Sequence, residues 1–185
     1  MGSVVGHLMA VKNRPMNRLA VELLDVWPVD SILEIGFGPG AAIQLLARGT
    51  PARVAGIDSS EVMLRQAARR NRRWIASGQV ELRQASVDSI PFPDARFSKV
   101  FAVNSFQHWE DQSAGLAEVR RVLKLGGTLL LCLRMQLQRP RLGAAPGLSD
   151  EQVDEAKQLL RAAGFRWIDQ VERNVGRRVV CLIAR

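Results

Sequence analysis

The sequence predicts an α/β fold, a doubly wound and mostly parallel sheet. Three observations predict it. Short apolar runs alternate with helix-like segments almost from end to end, one strand enters a helix through Gly36-Phe-Gly-Pro-Gly40, and the last two extended stretches are joined by too few residues for a crossover.

The elements follow in order. Pro15 to Val26 carries Leu19, Leu23, Leu24 and Val26 at helical spacing and stops before Trp27-Pro28. Ser31 to Ile35 is a short strand that runs through the glycine turn into a helix bearing Ile43, Leu45 and Leu46. Arg53 to Ile57 is the second strand; Asp58-Ser59-Ser60 supplies the cap of a helix with Val62, Met63 and Leu64. Val80 to Gln84 alternates as a half-buried strand, Pro91, Pro93 and Asp94 enforce a loop, and Val100 to Val103 is the fourth strand. Asp111 to Val122 reads as a helix that stops at Lys124-Leu-Gly-Gly127, before a strand from Thr128 to Leu133. Ser149 and Gln152 form a capping box for a helix that ends at Ala163, with Gly164 as its cap. Phe165 to Arg173 and Arg178 to Ala184 make a hairpin around Asn174-Val-Gly176, so the seven-stranded sheet closes with one antiparallel strand.

With 185 residues, 47% hydrophobic and 24% charged, the chain reads as one globular domain over 1–185, an N-terminal helix and lid segment at 1–28 preceding a sheet core at 29–185. No apolar run approaches the ~20 residues of a membrane span, no signal-peptide pattern opens the chain, and Gly6 stands where a myristoylation signal wants Ser or Thr. A cytoplasmic location is expected. Cys132 and Cys181 sit in separate apolar strands and read as reduced packing residues; two Cys and two His without paired spacing exclude a recognisable metal site. The net charge of +8 allows an anionic partner. Its densest cluster, Arg65, Arg69, Arg70, Arg72 and Arg73, lies on one helix with no reader motif, so a solvated face is expected rather than a nucleic-acid site.

Strand, Gly36-x-Gly38-x-Gly40 and helix form a nucleotide-binding arrangement, because glycines let a ligand approach the backbone and a helix N-terminus offers unpaired N–H groups. Asp58 ends the second strand, where an acid accepts hydrogen bonds from ribose hydroxyls. Read as Gly36-x-Gly38-x-x-Ala41, the loop also satisfies a dinucleotide fingerprint, which keeps an NAD-dependent oxidoreductase as an alternative. Glu34 suits a ligand with an amino group better than a pyrophosphate, and the length leaves no room for a dehydrogenase's further substrate-binding structure.

Four motifs in order carry a resemblance: Leu33-Glu-Ile-Gly-Phe-Gly-Pro-Gly40; Gly56-Ile-Asp-Ser-Ser-Glu-Val-Met63; Ile90-Pro-Phe-Pro-Asp94 followed by Phe97; and Arg121-Val-Leu-Lys-Leu-Gly-Gly127. Over nearly its whole length the chain resembles the class I S-adenosylmethionine-dependent methyltransferases of the small type 11, ubiquinone-biosynthesis-like group. That resemblance implies a Rossmann-like sheet, S-adenosyl-L-methionine as cofactor and S-adenosyl-L-homocysteine as product. It places Gly36, Phe37, Gly38, Gly40 and the neighbouring backbone against the methionine part, with Glu34 near the amino group. Asp58 would hold the ribose, Ser59 and Met63 would flank the adenine, Ser86 and Val87 would lie at its edge, and Asn104 would contact the methionyl chain. Asn13 and Asn17 look like the family's covering segment. Each has a rival structural reading: Glu34 as loop support, Met63 as helix packing, Asn104 as a turn residue.

The chain departs from the pattern at Ser86, where the family often has an acid, with Asp88 two positions later, and at Ser98 and Leu125, where Asp and Pro are usual. Methyl transfer is an in-line displacement in which the protein supplies alignment and desolvation. A hydroxyl or amine acceptor can need a base, and His108 is the candidate by chain position, with a structural histidine as the rival reading. A small organic acceptor is expected, in a pocket drawing on Phe106, Trp109, Met135 and Leu137, with His7, Met9 and Met16 as cover and Arg139 and Arg141 as possible holds for an acidic group. A non-catalytic cofactor-binding protein is the remaining alternative. A nucleic-acid acceptor is disfavoured, because the Asn/Asp-Pro-Pro-aromatic motif of amino methylation is absent.

Overall fold

Strands buried on both faces need near-continuous apolar sequence, and this chain supplies it: Ile32 to Ile35 and Leu129 to Leu133 are all buried. The computed structural model describes residues 13–137 and 147–185. The expectations for Gly6, His7, Met9, Arg139 and Arg141 lie outside them. Five parallel strands, β1 (Ser31–Ile35), β2 (Arg53–Asp58), β3 (Val80–Gln84), β4 (Phe97–Val103) and β5 (Leu123–Arg134), are joined by β6 (Ile168–Asn174) and the antiparallel β7 (Arg178–Ala184). The seven-stranded order is β3-β2-β1-β4-β5-β7-β6, the mixed, Rossmann-like sheet predicted.

Alternating side chains divide the core in two. One cluster joins Ile32, Val54, Phe101 and Leu130 to α1 (Arg14–Leu24), α2 (Ala41–Gly49) and α3 (Glu61–Ala76). The other joins Leu33, Val100 and Leu131 to α4 (Gln112–Val122) and α5 (Asp150–Ala162). Caps start and stop the helices where the sequence indicates. Ser60 Oγ accepts from Met63 N at 3.3 Å, Asp111 Oδ1 accepts from Ala114 N at 2.9 Å, and Ser149 and Gln152 exchange bonds in the expected capping box. The arginine cluster lies on α3 as expected, with Arg65 paired to Glu61 and Arg73 stacked on Trp74.

The starts of three strands differ, and the first is β4, which opens at Phe97 rather than Val100. Helix α4 ends at Val122 as read, but β5 starts at Leu123 rather than Thr128: buried Leu123 already pairs with Phe97, and Lys124 to Gly127 loop out as a bulge before Thr128 meets Lys99. Leu125 at its tip is almost fully exposed, so the missing proline has no packing consequence. Strand β6 starts at Ile168 rather than Phe165, whose N–H closes α5 onto Leu160 O at 3.1 Å while Gly164 N reaches Arg161 O at 3.0 Å. That pair is a Schellman ending, and it draws the Phe165 ring into the core. Ser98, the other departure, donates through Oγ to Asp30 Oδ1 at 2.7 Å, beside the Lys99–Asp30 ion pair.

The two cysteines are closer than their sequence separation suggests. Cys132 and Cys181 are register partners in β5 and β7; their thiols are free, fully buried and 2.8 Å apart. The shared hydrogen bond and then burial push the Cys132 thiol well above its ordinary pKa. Packing, as expected, is their role here.

Gly40 caps α2 at φ 73°, and a Cβ there would lie 2.7 Å from Ala67 Cβ and 3.0 Å from Ala67 Cα. Left-handed strain and overpacking against α3 then add, so Gly40→Ala is expected to cost about 2–4 kcal/mol in denaturant unfolding. Gly38→Ala, with no atom within 4 Å of the added methyl, should cost only about 1–2 kcal/mol.

Candidate functional site

The strand order reverses between β1 and β4, and open α/β sheets leave their ligand crevice at such a point, outside the carboxyl ends of the strands. A cavity of about 430 Å³ lies there. Its wall contains Glu34, Gly36, Phe37, Gly38, Asp58, Ser59, Met63, Ser86, Val87, Asn104 and His108, all singled out from sequence. Gly40 alone of that set is absent from the lining: it is buried against α3, where Asn71 Nδ2 donates to its carbonyl at 3.1 Å.

The glycine turn is held from three sides. Gly36 N donates to Ile57 O at 2.8 Å, and its φ of 72° brings it so close to β4 that a Cβ would be 2.6 Å from Ser105 Cβ. Ser105 Oγ returns a bond to Ile35 O at 2.7 Å. Asp58 accepts from Gly38 N at 2.8 Å through Oδ2 and from Ser60 N at 2.9 Å through Oδ1. This carboxylate therefore ties the glycine turn to the start of α3, a task the sequence reading missed, and each oxygen keeps a lone pair for a further donor.

Glu34 forms the floor. It is 3% exposed, and its Oε2 has no hydrogen-bond partner among the described residues. Ile43 N–H, an unpaired donor of the first turn of α2, bonds to the carboxyl. Burial, and then the charge of Asp58, push Glu34 well above the usual carboxylate range. A buried carboxyl with an unused oxygen beside a second acid is a place prepared for a cationic donor.

On the β4 side, Asn104 takes a left-handed φ of 53°, donates from its backbone to Cys132 O at 2.8 Å and accepts at Oδ1 from Gln107 Nε2 at 3.2 Å. The turn Phe106–His108 then sets exposed His108 at the mouth. Val87 is buried, and a Cβ on Gly115 would touch both it and Trp109. Asn13 and buried Asn17, at the start of α1, close the other side.

The acceptor-pocket expectation needs correction. Only Trp109 of the four residues lines the cavity; Phe106 and Met135 are core residues, and Leu137 lies off the lining. Phe106 turns inward because its ring meets Trp109 edge-on, with centroids 4.9 Å apart. Met16, expected as cover, is buried with α1 in the core. Ser105 was missed, since its role arises from contact with a residue 70 positions away and leaves no local pattern; Ser60, expected only as part of the helix cap, also lines the cavity.

Residues 33–131, more than half of the chain, match the family model described as a methyltransferase domain. The chain belongs to the type 11 methyltransferases. It is 34% identical over 176 residues to the uncharacterized methyltransferase YdaC of Bacillus subtilis, covering 93% of this chain and 91% of that protein. It is also 34% identical over 129 residues to the demethylmenaquinone methyltransferase of Tropheryma whipplei, covering 70% of this chain but 51% of that protein. A crystal structure of a SAM-dependent methyltransferase from Aquifex aeolicus shares the fold, with a TM-score of 0.76 and 22% identity over 91% of this chain and 88% of that one. This chain is thus an S-adenosylmethionine-dependent enzyme, and among its described residues no helix is long and apolar enough to cross a membrane.

The raised Glu34 pKa has a definite sign. The folded chain holds a proton that the unfolded chain gives up near its ordinary value, so this group's contribution is full below that value and is lost as pH rises through the folded pKa. Glu34→Gln removes the dependence. In thermal melts without ligand, the variant is expected to gain on the unsubstituted chain as pH rises from about 5 to 8; parallel curves would refute the burial argument.

Proposed function

We propose that this methyltransferase transfers the methyl group to a small organic acceptor within the cavity between β1, β4 and α1. The carrying observation is the unpartnered Glu34 oxygen at the floor of a cavity whose turn presents bare backbone at Gly36 and Gly38. These residues fit the cofactor: Glu34 would meet the methionine ammonium, Gly36, Phe37 and Gly38 would lie along that chain, and Asp58 would use its remaining lone pairs on ribose hydroxyls. Ser59 and Met63 would flank the adenine, Ser86 and Val87 would meet its edge, and Asn104 would face the methionyl chain. When bound, S-adenosylmethionine supplies an electrophilic methyl on a sulfonium, displaced in line by the acceptor.

What the protein adds is alignment and exclusion of water. Asn13, Asn17 and Trp109 confine the open side, and about 430 Å³ lies within the ~300–1,000 Å³ typical of small-molecule sites. His108, at the mouth, would take the acceptor's proton where the nucleophile is a hydroxyl or amine. Demethylmenaquinone methyltransferase, among the relatives, is named for an organic acceptor.

Two measurements test the reading. Calorimetric titration with S-adenosylhomocysteine should give binding that Asp58→Ala weakens about 10- to 100-fold, since charged hydrogen bonds and the turn's anchor are lost together; NAD should give no heat. Transfer of labelled methyl to a panel of phenols, acids and amines should then find an acceptor, with kcat falling about 10²- to 10⁴-fold in His108→Gln and S-adenosylhomocysteine affinity unchanged. An unaltered kcat would remove His108 from the chemistry.

A further inference from the structure

At the carboxyl end of β5 two arginines, Arg134 and Arg177, lie side by side. Arg134 is its last residue, two beyond Cys132, and strand alternation therefore sets its side chain on the face of the sheet that α1 covers. There its guanidinium donates to Asn13 Oδ1, and Asn13 lines the cavity. Arg177 folds back beside it, donating from Nε to Met135 O at 2.8 Å. The nearby acids Glu172 and Asp150 are taken by Arg178, at 2.7 and 2.8 Å.

Among the described residues no carboxylate forms an ion pair with Arg134. The two remaining stretches of sequence, 1–12 and 138–146, contain no Asp or Glu that could supply one. Burial, and then the charge of Arg177, hold Arg134 below the ordinary guanidinium value, the condition of a half-buried cation lacking a counter-ion. The acids Glu34 and Asp58 belong to the glycine-turn side of the cavity, and Glu110 is exposed on its lining.

We propose that the methyl acceptor carries an oxyanion, carboxylate or phosphate, and that Arg134 is the specificity-determining residue that holds it at the β5 edge of the cavity, beside Asn13. The proposal rests on the small-acceptor reading of this site. A guanidinium has five donors in a planar fork, of which Asn13 engages one side, and the free edge matches an oxyanion bidentately. An acceptor anchored there keeps its negative end away from Glu34 and Asp58, so charge alone sets which end enters the cavity.

The test uses the full chain saturated with S-adenosylhomocysteine and titrated calorimetrically with 4-hydroxybenzoate, its neutral analogue 4-hydroxybenzamide, and inorganic phosphate. The acid should bind about tenfold tighter than the amide, phosphate should compete with the acid, Arg134→Gln should erase the preference and Arg134→Lys should keep part of it. S-adenosylhomocysteine affinity should stay within about twofold in both variants, because Arg134 serves the acceptor. Equal or absent binding of acid and amide, a preference that survives Arg134→Gln, or a parallel loss of S-adenosylhomocysteine affinity would each overturn the proposal. Failure of S-adenosylhomocysteine to bind the unsubstituted chain would overturn the cofactor reading, and this one with it.

Discussion

The site depends on how closely the backbone from Gly36 to Gly40 lies against its neighbours. At one end a Cβ on Gly36 would collide with Ser105 of the β4 edge; at the other a Cβ on Gly40 would collide with α3. Close-packed interiors do not absorb an added methyl without displacement. The turn is therefore a strip of bare backbone clamped between β4 and α3, and Asp58 fastens its middle through Gly38 N. Cavity, floor acid and helix N-terminus all take their positions from that clamp.

Perturbed charges occur in two kinds of place, and they differ in how their partners are satisfied. Arg121 bonds Glu118 and Asp94 and reaches the carbonyls of Ile90 and Phe92, while Glu118 accepts from Ile90 N at 2.9 Å. The bond to Arg121 lowers the Glu118 pKa, so the cluster stabilises itself and ties Ile90-Pro-Phe-Pro-Asp94 to Arg121 without entering the cavity. Glu34 has the opposite character: burial, and then the charge of Asp58, raise its pKa, and one of its oxygens has no partner among the described residues. Perturbation without satisfaction makes Glu34 a candidate for binding, where Glu118 serves the structure.

Much of this was legible in the chain. Seven strands, five helices and one reversed strand follow from periodicity, caps and connection length, because these are local or near-local properties. The errors came where a long-range contact overrode a local signal. Leu123 joined β5 five residues before the expected strand start to pair with Phe97 across the sheet, and Phe165 stayed with the end of α5 because its ring fills the core. Phe106 and Met135 looked like pocket residues by composition, yet the direction in which a side chain points depends on the turn that carries it.

Sequence alone determined the α/β class, the glycine turn, the acids at positions 34 and 58, and the family, since each is carried by residue identity at short spacing. Only tertiary structure decided that Asp58 ties two turns together, that Gly40 serves helix packing, that Cys132 faces Cys181, and that Arg134 meets cavity-lining Asn13 with no ion pair among the described residues. Those facts depend on strand order and register. The contacts that set them join residues tens of positions apart, and no local pattern records them.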